Sequence, residues 1–196
     1  MRILRIDSSA KTKTSESRCL TDRIIDGLQA SGKSPEVTVR DLNERLPQVD
    51  NAWIEANNAL ADDHTDEQRK TLALSDKLVA EIEVADTLII GVALYNFSIS
   101  ASLKLWIDLV CRARKTFSYV DGSPKGLMIG KKAIVCFASG GTSFGSDIDF
   151  ASGYLRHILG FIGVTDLIFI SADKHFMDDQ SLINANAAVD TLTNRL

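Results

Sequence analysis

Apolar residues along the chain fall into short continuous runs separated by stretches where they recur every third or fourth position. The longest run, Thr87-Leu88-Ile89-Ile90-Gly91-Val92-Ala93, predicts a strand buried on both faces, as in the middle of a parallel sheet. Behind it, Ser100 to Cys111 predicts a helix, with Leu103, Trp106, Ile107 and Val110 on one face. Arg2 to Asp7 predicts a first strand. A helix with Leu20, Ile24 and Leu28 at a spacing of four follows, with Gly32 near its end. Pro35 precedes a second strand, Glu36 to Asp41, and Leu42 to Asp63 is irregular, with room for a short helical turn. Thr65-Asp66-Glu67-Gln68 has the form of a capping box, opening a helix through Leu72, Leu78 and Ile82 to about Val84. Thr116 to Gly130 is a long connection with the turn signal Asp121-Gly122. A fourth strand, Ala133 to Phe137, stops at Ala138-Ser139-Gly140-Gly141-Thr142. A helix over Phe150 to Leu159, a last strand over Asp166 to Ala172 and a closing helix with Leu182, Ala185, Val189, Leu192 and Leu196 on one face complete the chain.

Strands alternating with helices argue for an α/β fold with a parallel sheet and helices on both faces. Five strands at this spacing suit the doubly wound, flavodoxin-like order 2-1-3-4-5, read as one domain over residues 1–196. Ligands in such sheets lie at the carboxyl edge, where the strand order reverses. The loops after the first, third and fourth strands would meet there.

Composition narrows the class. The 196 residues are 45% hydrophobic, enough to bury about 70% of the unfolded surface of one domain. Net charge is −4 and no basic block exceeds two residues, which argues against nucleic acid as a partner. The apolar runs are too short to span a bilayer, and the charged N-terminus lacks a signal-peptide core. Cys19, Cys111 and Cys136 show no C-x-x-C spacing and read as buried, reduced thiols of a cytoplasmic protein. His64, His157 and His175 are scattered, so no metal site is expected.

The loops carry the candidate chemistry. Ser8, Ser9, Thr12, Thr14, Ser15 and Ser17 crowd the turn before the first helix, whose N-terminal N–H groups attract phosphate; Arg18 could add charge. There is no G-x-x-x-x-G-K-[ST] and no G-x-G-x-x-G, so a monophosphate suits this loop better than a nucleotide held by either motif. Leu94, Tyr95, Asn96 and Phe97 offer backbone N–H groups and a polar-edged surface, and Gly140-Gly141 lets backbone approach a ligand closely. Together they form a slot for a flat ring system such as the flavin of FMN. The alternatives on these residues alone are a solvated loop, an ordinary strand-to-helix loop whose Phe97 is core, and a plain tight turn.

The chain resembles the FMN-dependent azoreductases, the bacterial NADH:quinone oxidoreductase family of flavodoxin-like fold. The resemblance is carried by Ser8-Ser9 with Ser15-x-Ser17, Val39-Arg40-Asp41-Leu42, Leu74-Ser75-Asp76, Tyr95-Asn96-Phe97-Ser98-Ile99-Ser100 and Leu103-Lys104. It continues through Thr116-Phe117-x-Tyr119, Gly126-Leu127, Gly130-Lys131-Lys132-Ala133-Ile134-Val135, Gly140-Gly141, Tyr154-Leu155 and Leu159-Gly160-Phe161-Ile162-Gly163.

It implies that Ser9 and Ser15, Glu16 and Ser17 hold the FMN phosphate. Leu94 to Phe97 and Ala138, Ser139, Gly140 and Gly141 would hold the ring, and Phe97, Phe117 and Phe161 would line the face where substrates stack. No protein side chain is catalytic in this reading, because the flavin carries the hydride. NADH or NADPH would reduce the flavin, and quinones and azo compounds would reoxidise it in ping-pong order. The family is homodimeric, with Trp106 and its helix as candidate interface. Two departures stand out: Ala138-Ser139 replaces the commoner Ser-Arg before the glycine pair, and Glu16 and Arg18 replace neutral residues. The rival functions are a flavodoxin-type FMN electron carrier without its own substrate and a flavin-free regulatory domain. The second normally clusters acidic residues after strand 1, where this chain has Ser8-Ser9.

Overall fold

A computed structural model describes residues 1–196. Its sheet strands are β1 (Arg2–Asp7), β2 (Glu36–Asp41), β3 (Thr87–Ala93), β6 (Lys132–Ala138) and β7 (Asp166–Ala172). They pair in the order β2-β1-β3-β6-β7, all parallel. In sheet strands alone this is 2-1-3-4-5. The helices are α1 (Glu16–Ala30), α2 (Asn51–Asn58), α3 (Asp66–Val84), α4 (Ala101–Val110), α5 (Ser152–Phe161) and α6 (Gln180–Thr193).

The side-chain alternation of the strands sorts the core into two layers. Leu4, Ile6, Leu88, Ile90, Val92, Ala133, Val135 and Phe137 pack with α2, α3, α4 and α5 on one face. Ile3, Ile89, Ile134, Cys136 and Ile170 pack with α1 and α6 on the other. The first six of β3's seven residues are buried, which accounts for its unbroken apolar sequence. The Thr65 capping box forms in both directions, its hydroxyl accepting from Gln68 N and Gln68 Oε1 accepting from Thr65 N.

Several expectations need correction. The connection from Thr116 to Gly130 holds an antiparallel hairpin, β4 (Phe117–Val120) and β5 (Ser123–Gly126). Asp121 and Gly122 turn it with φ of 51° and 77°, as a two-residue hairpin loop requires. The irregular stretch after Leu42 contains a full two-turn helix, α2, capped by Asp50 and burying Trp53 and Ala56. α5 begins at Ser152 rather than Phe150, because the Asp149 carboxylate accepts from the Ala151 and Ser152 N–H groups and fixes the first turn there. Cys19 is exposed: it sits one residue before Leu20, about 100° round the helix from the buried stripe. Cys136 is buried and Cys111 partly so; burial pushes the Cys111 thiol up to about 12. Trp106 is 1% exposed within the core, so it cannot supply an interface surface.

The hairpin is fastened to the end of α5. Met128 N donates to Ile162 O, and a Cβ on Gly126 would overlap the backbone of Ile162 and Gly163. Gly126→Ala is therefore expected to force the hairpin off α5 and to destabilise the protein by about 1–3 kcal/mol. Urea unfolding monitored by circular dichroism measures this, and an unchanged midpoint would contradict the contact.

Candidate active site

Parallel pairing brings the carboxyl ends of β1, β3 and β6 to one edge, and three loops leave the sheet side by side. Leu94 N donates to Ala138 O across the gap between β3 and β6. Ser8 N and the Ser8 hydroxyl both donate to Gly91 O, joining the first loop to β3.

The first loop is held from beneath by charge. Asp7 is 2% exposed at the end of β1. Its carboxylate accepts from Arg5 Nε at 2.8 Å, Thr21 Oγ1 at 3.1 Å and Arg18 Nη1 at 3.4 Å. Arg18 also makes a two-pronged bond to Asp41 (2.9 and 2.7 Å) and donates from Nη2 to Ser9 O. Its charge is thus spent on two aspartates inside the fold and does not augment the phosphate loop. The Arg18 hydrogen bonds hold the Asp41 carboxyl below its usual range.

Above this base the hydroxyls gather. Ser9, Ser15 and Ser17 are all buried, and the Ser15 and Ser17 hydroxyls lie 3.2 Å apart. Ser15 is the N-cap of α1, yet its side chain makes no capping bond, so Glu16, Ser17 and Arg18 present first-turn N–H groups without a side-chain acceptor. Gly91 lets this turn sit low on the sheet. A Cβ there would come within 3.1 Å of the Asp7 carboxylate and 3.4 Å of Ser17 O.

The second loop makes a tight turn. Tyr95 and Ser98 exchange backbone hydrogen bonds of 2.9 and 3.1 Å around Asn96 and Phe97, whose φ values are 48° and 71°. Neither is glycine, so the turn stores strain. Phe97 O accepts from Phe150 N, and the Phe97 ring is left 51% exposed. The Tyr95 hydroxyl reaches back to the first loop, accepting from Ala10 N at 3.0 Å and lying 3.4 Å from Ser9 Oγ.

The third loop is anchored by Ser139, which is buried and donates its hydroxyl to Thr142 O. Gly140 lets the Phe176 ring lie directly on the loop, since a Cβ there would displace that ring. Gly141 has no left-handed φ and open space around it, so no strain within the chain opposes a side chain there.

A cleft of about 220 Å³ lies between the loops. Among its walls are Ser9, Ser15 and Glu16 from the first loop, Leu94 and Tyr95 from the second, and Ala138 and Gly140 from the third. Phe117 and Phe161 lie elsewhere, tilted against each other with ring centres 4.5 Å apart where the hairpin meets α5. Neither pairs with Phe97 within this chain.

The family model described as flavodoxin-like fold matches residues 1–196. The chain belongs to this family. Its relatives include the FMN-dependent NADH:quinone oxidoreductase 1 of Jannaschia sp. (strain CCS1), 55% identical over 90% of each chain. The protein of the same name from Colwellia psychrerythraea (strain 34H) is 48% identical over 97% of this chain and 99% of its own. Among solved structures, an azoreductase from Bacillus anthracis str. Sterne superposes with a TM-score of 0.90, 24% identity, and coverage of 100% and 99%. At that identity the superposition speaks for the flavodoxin-like fold.

Sequence reasoning missed Lys11, His175 and Phe176 as walls of the cleft in this family member. β7 lies beside β6, so its loop reaches the same edge. The signal available was an aromatic pair, His175-Phe176, in a polar loop just past a strand's carboxyl end.

The Arg18 ion pairs with buried Asp7 and half-buried Asp41 give the first loop a measurable signature. Arg18→Met leaves Asp41 without its guanidinium and Asp7 with one partner fewer, and is expected to cost about 3 kcal/mol at pH 7. Asp41 titrates lower when folded than when unfolded, so its contribution is complete above the unfolded value and fades as pH falls through the folded one. The gap between wild type and variant should therefore narrow below about pH 4. Urea midpoints from pH 7 to 3 test this, and a gap independent of pH would overturn the assignment.

Proposed function

We propose that this chain is a cytoplasmic, homodimeric, single-domain FMN-dependent NADH:quinone oxidoreductase that also cleaves aromatic azo compounds to amines. The observation that carries the reading is the convergence of an uncapped, hydroxyl-rich helix N-terminus with two backbone-lined loops at one sheet edge. The names of relatives matching this chain over nine-tenths of its length or more support the cofactor, NADH and quinone.

The residues fit FMN. The free first-turn N–H groups of α1, with the Ser9, Ser15 and Ser17 hydroxyls beside them, supply donors for a phosphate without a basic side chain. Leu94, Tyr95, Asn96 and Phe97 on one side, and Ala138, Ser139, Gly140 and Gly141 on the other, would hold the ring. Bound FMN would supply the hydride chemistry between nicotinamide and acceptor. The protein's part is to bind, orient and leave one side of the slot open, with the exposed Phe97 ring at hand for flat substrates. Phe117 and Phe161 belong to the substrate face in this proposal; separated from Phe97 within one chain, they would serve it across a dimer. No helix of the molecule is long and apolar enough to cross a membrane.

The first test is the visible spectrum of the purified protein. A flavin spectrum that bleaches with NADH in the absence of air, and recovers with a quinone, is expected. Bound flavin that NADH does not bleach would point instead to an electron carrier of the flavodoxin type. Ser17→Asp sets a negative charge against the phosphate and is expected to strip FMN on dialysis while leaving the circular dichroism spectrum intact. Full retention of FMN would move the phosphate elsewhere.

One open side also bears on kinetics. Two flat substrates that share it must take turns, so double-reciprocal plots against NADH at several quinone concentrations should be parallel. Intersecting lines would reject the shared site.

A further inference from the structure

The loop after β7 has no part in the reading above, yet it is fastened to the site. His175 N donates to Ser139 O at 3.1 Å and Phe176 N to Gly140 O at 3.2 Å, so the two loops run together as a short zipper. The Phe176 side chain turns across Gly140 so closely that a Cβ there would push the ring away. Its ring stands 4.6 Å from His175 in an edge-on arrangement and 5.8 Å from Lys11 Nζ, within the range of a cation–π contact. Lys11 comes from the loop after β1, on the far side of the cleft. Phe176 is nonetheless 77% exposed, so core packing does not explain its position. The cleft it overhangs holds about 220 Å³, short of the 300–1,000 Å³ typical of small-molecule sites.

We infer that Lys11 and Phe176 form a clasp across the cleft that retains the cofactor, a fourth binding element beside the three loops already described. This rests on the FMN reading. Phe176 adds apolar cover over the glycine loop, and the Lys11 ammonium over its ring holds it in that place. The clasp opens when Phe176 lifts from Gly140, which enlarges the cleft for entry and release. It acts on cofactor release and not on the fold, since neither side chain is buried.

The test is the rate of FMN release from the holoprotein, followed as recovery of free flavin fluorescence on dilution. Phe176→Ala is expected to speed release about tenfold and Lys11→Met about threefold, as the loss of one ring contact and one cation–π contact predicts. The double variant should be close to Phe176→Ala alone, because the lysine loses its partner with the ring. Ile183→Ala, on exposed surface of α6, serves as the control and should release FMN at the wild-type rate. Wild-type release from Phe176→Ala, or multiplicative effects in the double variant, would overturn the clasp. A wild-type protein that binds no FMN would instead overturn the cofactor reading itself, so the two failures are distinguishable.

Discussion

A carboxylate buried at the end of β1 sets the terms for the edge of the sheet where the cleft lies. Asp7 is almost wholly out of water, and a lone ion there would be prohibitive. Arg5, Arg18 and Thr21 answer it, and two of these lie on α1. The need to neutralise Asp7 therefore draws the first turn of α1 down onto β1. Gly91 on β3 is the complementary concession, since any side chain there would meet both the Asp7 carboxylate and the α1 backbone. Arg18 then extends the arrangement outward. By joining Asp41 at the end of β2 and the carbonyl of Ser9, it fixes the edge strand and the first loop with one guanidinium.

The consequence is that the α1 N-terminus is positioned by charge from below and left without a side-chain cap above. Asp50, Thr65 and Ser100 cap α2, α3 and α4, and the first turns of α5 and α6, whose N-caps make no such bond, donate to the carboxylates of Asp149 and Asp178. At Ser15 the closing bond is missing although a serine is present. The second loop shows the same sacrifice of local stability. Asn96 and Phe97 occupy left-handed conformations that a glycine would adopt freely, at a cost of about 1–2 kcal/mol each. The Tyr95–Ser98 backbone pair and the Phe150 N–H hold them there. The uncapped start of α1 lines the cleft and the strained turn adjoins it, a concentration of unspent donors and stored strain that fits the binding role proposed above.

Much of this was legible in the sequence because the signals were local and strong. The apolar run of β3 needed no tertiary knowledge, and the Thr65 box and the Asp121-Gly122 turn are read from residues four or fewer apart. What escaped depended on contacts between distant segments. The hairpin strands are four residues each, too short for alternation to register, and exist because Gly126 can meet Gly163. Trp106 has the composition of an interface residue, and only the packing of α4 shows it to be core. Arg18 sits beside the hydroxyl loop in sequence, and only the fold reveals that Asp7 and Asp41 claim it first. Of the glycine pair, sequence could not say that Gly140 is the one overlaid, since the ring that lies on it belongs to Phe176, 36 residues on.

The departure Ala138-Ser139 can now be given a physical meaning. Ser139 is buried, donates its hydroxyl to Thr142 O and takes its backbone partners from β7 and its loop. An arginine could not keep that buried place without abandoning these bonds, so a serine here shapes the third loop from within. The cations that remain near the cleft stand on the rim instead, with Lys11 as the one that lines it. A rim lysine is hydrated and flexible, and its field is screened within about 10 Å at ordinary ionic strength. Positive charge in this site is therefore movable, whereas the hydroxyls, backbone donors and strained turn are fixed. In the FMN reading proposed above, the fixed groups would select a flat, phosphorylated ligand, and the movable ones would govern how long it stays.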